Sequence, residues 1–317
     1  MISPLVVVFS VLPVYILILA GAIARRTGII RREHDEGIMR VVFSAMMPCY
    51  ILDKLLGAEI LRNSSVIVSC IVLGFCIIII NNLLAIGVGR ALGLERGTGM
   101  RTFALAAGTG NYGYAAAPVV EILWGSSALA ILFVHNIGTE IAIWSFGVML
   151  MSGAREIRWR RLLNGPLVAV TVGLLLVVLR LDQHIEGPVR EAMSMIGKGA
   201  FPVGIFIIGC TMIDMVAEEK PNLKLITGGL LVRLIIAPAV FIGFAKFLPI
   251  ATELRQVLLV QAAVPASMNS ILIARLYGGR PAVAVQIVLF TTAISILTLP
   301  WIISLGCRWL ELEPLLP

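Results

Sequence analysis

Long apolar runs separated by short basic loops constrain this chain more than any other feature. A membrane-crossing helix needs about 20 mostly apolar residues. Ten candidate stretches follow, at 5–24, 38–56, 66–88, 102–124, 128–151, 166–181, 193–215, 225–248, 257–277 and 283–305. Apolar residues are 59% of the chain and charged residues 14%, against about 45–50% and about 25% in soluble domains. Mean hydropathy is +1.00. So few charges cover neither a soluble globule nor a disordered chain. The expectation is an all-α polytopic membrane protein whose solvent is the lipid bilayer. The sixth stretch is short, and the second and seventh carry Arg40 and Lys198. The first reads as a span rather than a cleaved signal peptide, because it lacks a basic leader and Arg25 and Arg26 follow it.

Charge supplies the orientation. Fifteen of the 25 Lys and Arg residues fall in the loops after spans one, three, five, seven and nine, and seven on the other side. Basic loops face the cytoplasm, so both termini are expected outside. The net charge of +7 belongs to those loops and does not point to nucleic acid. Asn63-Ser64-Ser65 is a formal glycosylation sequon on the outer side, short enough to arise by chance. The five cysteines sit in or beside apolar stretches, without a C-x-x-C pair. They read as small buried hydrophobes.

Ten spans invite a search for an internal repeat. An offset of 154 brings Met47-Pro48 onto Phe201-Pro202 and Arg101 onto Arg255, and Trp124-Gly125 within one residue of Tyr277-Gly278. Five is an odd number, so two five-span units (1–157 and 158–317) must lie inverted in the membrane, as in many secondary transporters. Spans four and nine are interrupted at matching places. Span four holds Gly108, Gly110, Asn111, Gly113 and Pro118, and span nine holds Pro265, Ser267, Asn269 and Ser270. Glycine weakens a helix and proline removes a donor. Unwound backbone at membrane depth is tolerated only in protein or beside a cavity. Two broken helices crossing near the midplane would offer half-helix N-termini, which suit a carboxylate. Small-residue helix packing would account for the glycines, but not for a proline and an asparagine in both halves.

These residues resemble the auxin efflux carrier family, which includes plant auxin exporters and bacterial organic-acid permeases. Asn111, Pro118 and Trp124-Gly125 keep the spacing of the family's fourth span. Gln261-Ala-Ala-Val-Pro265 and Tyr277 match its ninth, Arg233 with Ala237-Pro238-Ala239-Val240 its eighth, and Trp144 its fifth. The resemblance implies ten helices in two inverted five-helix repeats, similar in fold to bile-acid sodium symporters. It also implies helices four and nine crossing at broken centres, a scaffold layer and a moving layer, and a homodimer, as in the plant members. Anion transport with Asn111 as a substrate contact follows from it, in a bacterial inner membrane. Gly110 stands where the plant proteins have proline. His135 and Glu140 stand where they have glutamine, and only about a dozen residues join the halves. The implied substrate is therefore a small organic acid rather than auxin.

The substrate group named by this reading is Gly110, Asn111, Tyr112, Pro118, Gln261, Pro265, Ser267 and Asn269, with Lys198 as a counter-charge, an acid's partner or a snorkelling side chain. Glu140 is the acid deepest in a span, and Asn136, four residues earlier, shares its helix face. With His135 they are candidates for a coupling proton or cation, or else a buried structural pairing. Arg233 reads as structural. No cofactor is expected beyond a coupling ion, Na+ or H+. Asn81, Gln261, Thr291 and Thr292 are oxygen donors for sodium. The chain lacks G-x-S-x-G, H-E-x-x-H and Walker A motifs, which argues against an enzyme or an ATP-driven pump. The alternatives are a sodium- or proton-coupled symporter of a different substrate, such as a bile-acid-like or neutral solute, and a channel, from which saturable counterflow distinguishes a carrier.

Overall fold

The computed structural model describes residues 4–95, 97, 99–153, 164–216 and 221–315. The order begins with α1 (Pro4–Arg26), then α2 (Arg32–Val41), which runs through a π-turn at Val42–Met46 into α3 (Met47–Leu55). Then come α4 (Ser64–Ala91), α5 (Met100–Gly108) and α6 (Ala116–Ala142), which continues through Ile143–Gly147 into α7 (Val148–Ser152). The second part holds α8 (Gly165–Val178), α9 (Pro188–Gly197) and α10 (Ala200–Val216). After them, α11 (Leu223–Leu231) passes through Val232–Ile236 into α12 (Ala237–Phe247), followed by α13 (Thr252–Ala263), α14 (Asn269–Leu276) and α15 (Pro281–Leu310). Among the described residues there is no strand, only a single antiparallel bridge between Gly110 and Ala266.

All ten apolar stretches fall on helical segments, but among the described residues six candidate spans meet the length and hydropathy expected of a membrane crossing. The shortfall has physical causes. Spans four and nine are broken into α5–α6 and α13–α14, α8 has 14 residues, and α2 opens with Glu33, Asp35 and Glu36. Conversely, 116–152 counts as one span of 37 residues, about 55 Å at 1.5 Å per residue, far more than a bilayer core of about 30 Å. Gly125 resolves this: its φ of 74° and ψ of −162° lie outside helical space and divide the segment after Trp124.

Two π-turns follow from proline. Pro48 and Pro238 have no N–H, and each ring crowds the carbonyl four residues earlier. Those carbonyls belong to Ser44 and Leu234, inside the π-turns at Val42–Met46 and Val232–Ile236. Asn63, Asn164 and Asn222 cap α4, α8 and α11 through their side-chain oxygens.

Glycines set the closest helix contacts. A Cβ on Gly138 of α6 would lie 2.0 Å from the Ile71 carbonyl oxygen of α4, and one on Gly74 of α4 would lie 2.3 Å from that of His135 in α6. The same reciprocal arrangement joins α1 and α10. There a Cβ on Gly21 would lie 1.9 Å from the Phe206 oxygen, and one on Gly209 2.0 Å from the Ile18 oxygen. In lipid such small-residue contacts replace the hydrophobic drive between helices. Phe9, Leu19, Leu179, Leu297 and Trp301 are exposed, as expected of a surface bathed in lipid.

Arg96, Arg155, Arg158, Arg160, Arg161 and Lys220, which contribute to the orientation argument, lie outside the described residues, as does the proposed 157/158 boundary. The cysteines are all free.

Candidate functional site

The two interruptions face each other. The chain leaves helical geometry at Thr109, where φ is −114° and ψ 119°, and at Val264, where φ is −72° and ψ 150°. The freed backbone groups then satisfy one another across the gap. Asn111 N donates to Pro265 O at 2.8 Å, and Ser267 N donates to Thr109 O at 3.0 Å. Ala266 N donates to the Thr291 hydroxyl of α15 at 3.1 Å. Unpaired groups at this depth would cost several kcal/mol each, about as much as an unmade hydrogen bond in hydrocarbon. The pairing is what permits irregular backbone here.

Arg233, fully buried in the π-turn between α11 and α12, ties the breaks together. Its Nε donates to Val264 O at 2.9 Å, Nη2 to Gln261 O at 2.7 Å and Nη1 to the Tyr112 hydroxyl at 3.0 Å. The guanidinium also lies over the rings of Tyr112 and Phe241, 5.4 and 5.8 Å from their centroids. Gly110 makes room for it. A Cβ there would fall 2.6 Å from Tyr112 Cε1 and 2.9 Å from Arg233 Cζ.

A cavity of about 620 Å³ opens on this junction. Gly110, Asn111, Tyr112, Ser267 and Asn269 line it from the breaks, and Asn136 and Glu140 from α6. Its apolar wall includes Phe43, Met47, Phe133 and Phe201. Asn111 Oδ1 accepts from Tyr114 N at 3.1 Å, so its Nδ2 is not the group held by that bond. Asn136 Nδ2 donates to Tyr112 O at 3.1 Å, and its oxygen accepts from Gln261 Nε2 at 3.0 Å. Glu140, one helical turn further along, accepts from Trp144 Nε1 at 2.8 Å. It is the one charged side chain lining the cavity among the described residues.

Several expected residues stand elsewhere. Pro118 occupies the first turn of α6, where a missing N–H costs no intrahelical bond, and lines neither cavity. Pro265 lines a water-sized space of about 30 Å³ behind the junction, with Asn111, Tyr15 and Thr292. Gln261 is buried and acts through Asn136. His135 is fully buried with both ring nitrogens unpaired among the described residues, and does not line the cavity. Asn81 is buried and likewise unpaired. Lys198 is exposed at the end of α9, away from the junction. Sequence reasoning missed the part of Asn164, which both caps α8 and lines the cavity.

The cavity runs from the breaks toward Met39, Asn164 and Thr211. On the opposite side the helices are closed by polar ties. Lys54 of α3 pairs with Glu121 of α6 at 2.8 Å, and the Tyr50 hydroxyl donates to the same carboxylate. Tyr50 also packs edge-on against Phe133 and Phe201. Asp214 of α10 pairs with Arg25 and Arg32, both at 3.2 Å.

The profile of a family described as "Membrane transport protein" matches residues 6–158 and 154–303. An uncharacterized transporter of Methanothermobacter thermautotrophicus is 26% identical over 275 residues, covering 84% of this chain and 87% of the relative. An uncharacterized transporter of Methanocaldococcus jannaschii is 21% identical over 302 residues, 91% of this chain and 95% of the relative. With apolar helices long enough to cross a bilayer and a family match over most of its length, the chain is an integral membrane protein and belongs to the membrane transport proteins, the auxin efflux carrier family.

Proposed function

We propose that the protein is a secondary transporter that moves small organic anions, carboxylates above all, by alternating access. Its ten spans form two inverted five-helix repeats, and spans four and nine cross where their breaks meet. The observation that carries this reading is the mutual pairing of the two breaks beside a cavity. Asn111 and Asn269 present side-chain amides to that cavity, and α6 and α14 begin there. An amide N–H of Asn111 suits a carboxylate oxygen, and the aromatic wall suits an organic body. With basic loops toward the cytoplasm, the cavity faces inward, and the Tyr50–Glu121–Lys54 ties close the outer side.

The test is counterflow and charge movement with reconstituted protein over a panel of malate, malonate, indole acetate and neutral controls. Asn111→Ala is expected to weaken carboxylate binding by about tenfold, the size of one lost hydrogen bond to a charged group, and to lower thermal stability as well, since Tyr114 N loses its acceptor. Unchanged affinity would remove Asn111 from the substrate contacts. Passage of current far faster than carrier turnover would favour a channel.

Within this reading Glu140 takes the coupling proton. An ionised carboxylate on the substrate path repels an anion, so transport is expected to fall as pH rises and Glu140 loses its proton. Glu140→Gln, which keeps the shape and cannot ionise, is expected to flatten that pH profile. A wild-type slope retained in the variant would assign the proton to another group.

A further inference from the structure

A second cavity, of about 490 Å³, lies where α4, α5 and α7 end or begin, apart from the junction of the breaks. Its wall changes character along α4. Ile86 lies one turn before Arg90, so the two share a helix face, and Met149 and Leu150 of α7 extend the apolar part. The rim is charged, with Arg90 at the end of α4, Arg101 in the first turn of α5, and Glu95 between them. Arg90 is exposed. Arg101 is held from behind: it donates to Met151 O at 3.4 Å, and a Cβ on Gly153, whose φ is 69°, would fall 2.8 Å from its Nη1. Neither guanidinium forms an ion pair among the described residues. Helix α5 starts here without a side-chain cap, and a helix N-terminus favours negative charge.

We propose that this cavity binds an anionic phospholipid: Arg90 and Arg101 hold its phosphate at the mouth, and its acyl chains run along Ile86, Met149 and Leu150. Such a site is independent of what the protein carries. Charge and apolar wall together select the lipid. A free phosphate would use the rim and leave the apolar wall bare. A zwitterionic lipid would fill the wall but bring a choline cation against two arginines. The volume of about 490 Å³ equals about sixteen water molecules, room for a phosphate, a glycerol and the first carbons of its chains. In the orientation read from the loops, the rim faces the cytoplasm, where anionic lipids give the membrane surface a negative potential. Helix α5 runs nine residues from Met100 to Gly108, about 13 Å, and its far end opens into the break of span four. Beside Arg101, the Thr102 hydroxyl accepts from Arg280 N at 2.9 Å, which ties the rim to the start of α15. A bound phosphate therefore braces the half-helix that leads to Asn111. Arginines that merely sat in the membrane interface would draw anionic lipid no more than Arg275, which is exposed and lies outside this cavity.

The experiment uses the full chain in a neutral detergent. The probes are phosphatidylglycerol, phosphatidylcholine with the same acyl chains, and inorganic phosphate. Each competes against a spin-labelled phosphatidylglycerol, and thermal unfolding is followed in parallel. Phosphatidylglycerol is expected to displace the label and raise the melting temperature. Phosphatidylcholine is expected to compete about tenfold less well or worse, and inorganic phosphate not to compete at the concentration of the lipid. Arg90→Gln is expected to weaken phosphatidylglycerol about fivefold, the scale of one basic side chain at an anionic surface. Arg101→Gln is expected to lose a similar factor, while Arg275→Gln leaves binding unchanged. Arg90 is exposed and carries no ion pair among the described residues, so its replacement tests the site without threatening the fold. Equal binding of the two lipids would overturn the proposal in wild type alone. So would equal losses in Arg90→Gln and Arg275→Gln, which would assign the preference to the whole basic face. Displacement by inorganic phosphate at the concentration of the lipid would reject the lipid in favour of a phosphate site.

Discussion

Gly138→Val is expected to abolish the folded protein. At this position α4 and α6 touch backbone to backbone: a Cβ would sit 2.0 Å from the Ile71 oxygen, 2.8 Å from its carbon and 2.9 Å from Phe75 N. A flexible side chain could swing aside, but a helix backbone cannot. Nor can α6 back away, because its other contacts include α13 and α3, and it carries Asn136 and Glu140 into the cavity. Overpacking by a few methylenes costs about 1–3 kcal/mol where neighbours can adjust. Parting two helices along a whole face costs more, against a total stability of only about 5–15 kcal/mol. Gly209→Val is expected to do the same between α1 and α10, where the Ile18 oxygen lies 2.0 Å from the added atom. Size-exclusion profiles and thermal unfolding in detergent check both. A monodisperse Gly138→Val protein with wild-type melting would disprove the close approach.

Gly110→Val is expected to abolish transport while part of the fold survives. The added carbon falls within 3 Å of both Tyr112 and Arg233, so it drives the ring and the guanidinium away from their bond. Arg233 then loses a partner while remaining buried, at a cost of about 3–5 kcal/mol for breaking into such a charged arrangement. The damage is local to the junction. Helix content by circular dichroism is expected to stay near wild type, carboxylate binding to fall below detection and the melting temperature to drop. Binding at wild-type strength would show that the junction tolerates bulk, and that the distances given above do not govern it.

The sequence displays depth along a helix well and rotation about it poorly, and that difference separates what could be read from what could not. Apolar runs gave the helices, and clustered Gly, Pro and Asn marked both breaks, because several helix-weakening residues together leave the backbone prone to unwind. The four-residue spacing of Asn136 and Glu140 puts them on one face, and both line the cavity. His135 precedes Asn136 by one position, about 100° around the helix, and ends in the packing instead. Lys198 is exposed where α9 ends and does not line the cavity. Arg233 reads from sequence as a buried structural group, since nothing in a one-dimensional spacing shows that its partners come from Gln261, Val264 and Tyr112 at once. The Gly74–Gly138 and Gly21–Gly209 contacts were likewise hidden, because a pairing between distant helices leaves no periodic trace.

The hydrogen bonds between the two breaks also set an order on biogenesis. Residues 109–111 leave the ribosome well before residues 265–267, yet each segment holds the acceptor or donor that the other lacks. A chain inserted only through its first half carries an open carbonyl at Thr109 and an open amide at Asn111 inside the bilayer. That half-made state has reason to keep its fourth span near water, or beside the insertion machinery, until the ninth arrives. The last third of translation thus supplies the partners that the break at residues 109–111 needs.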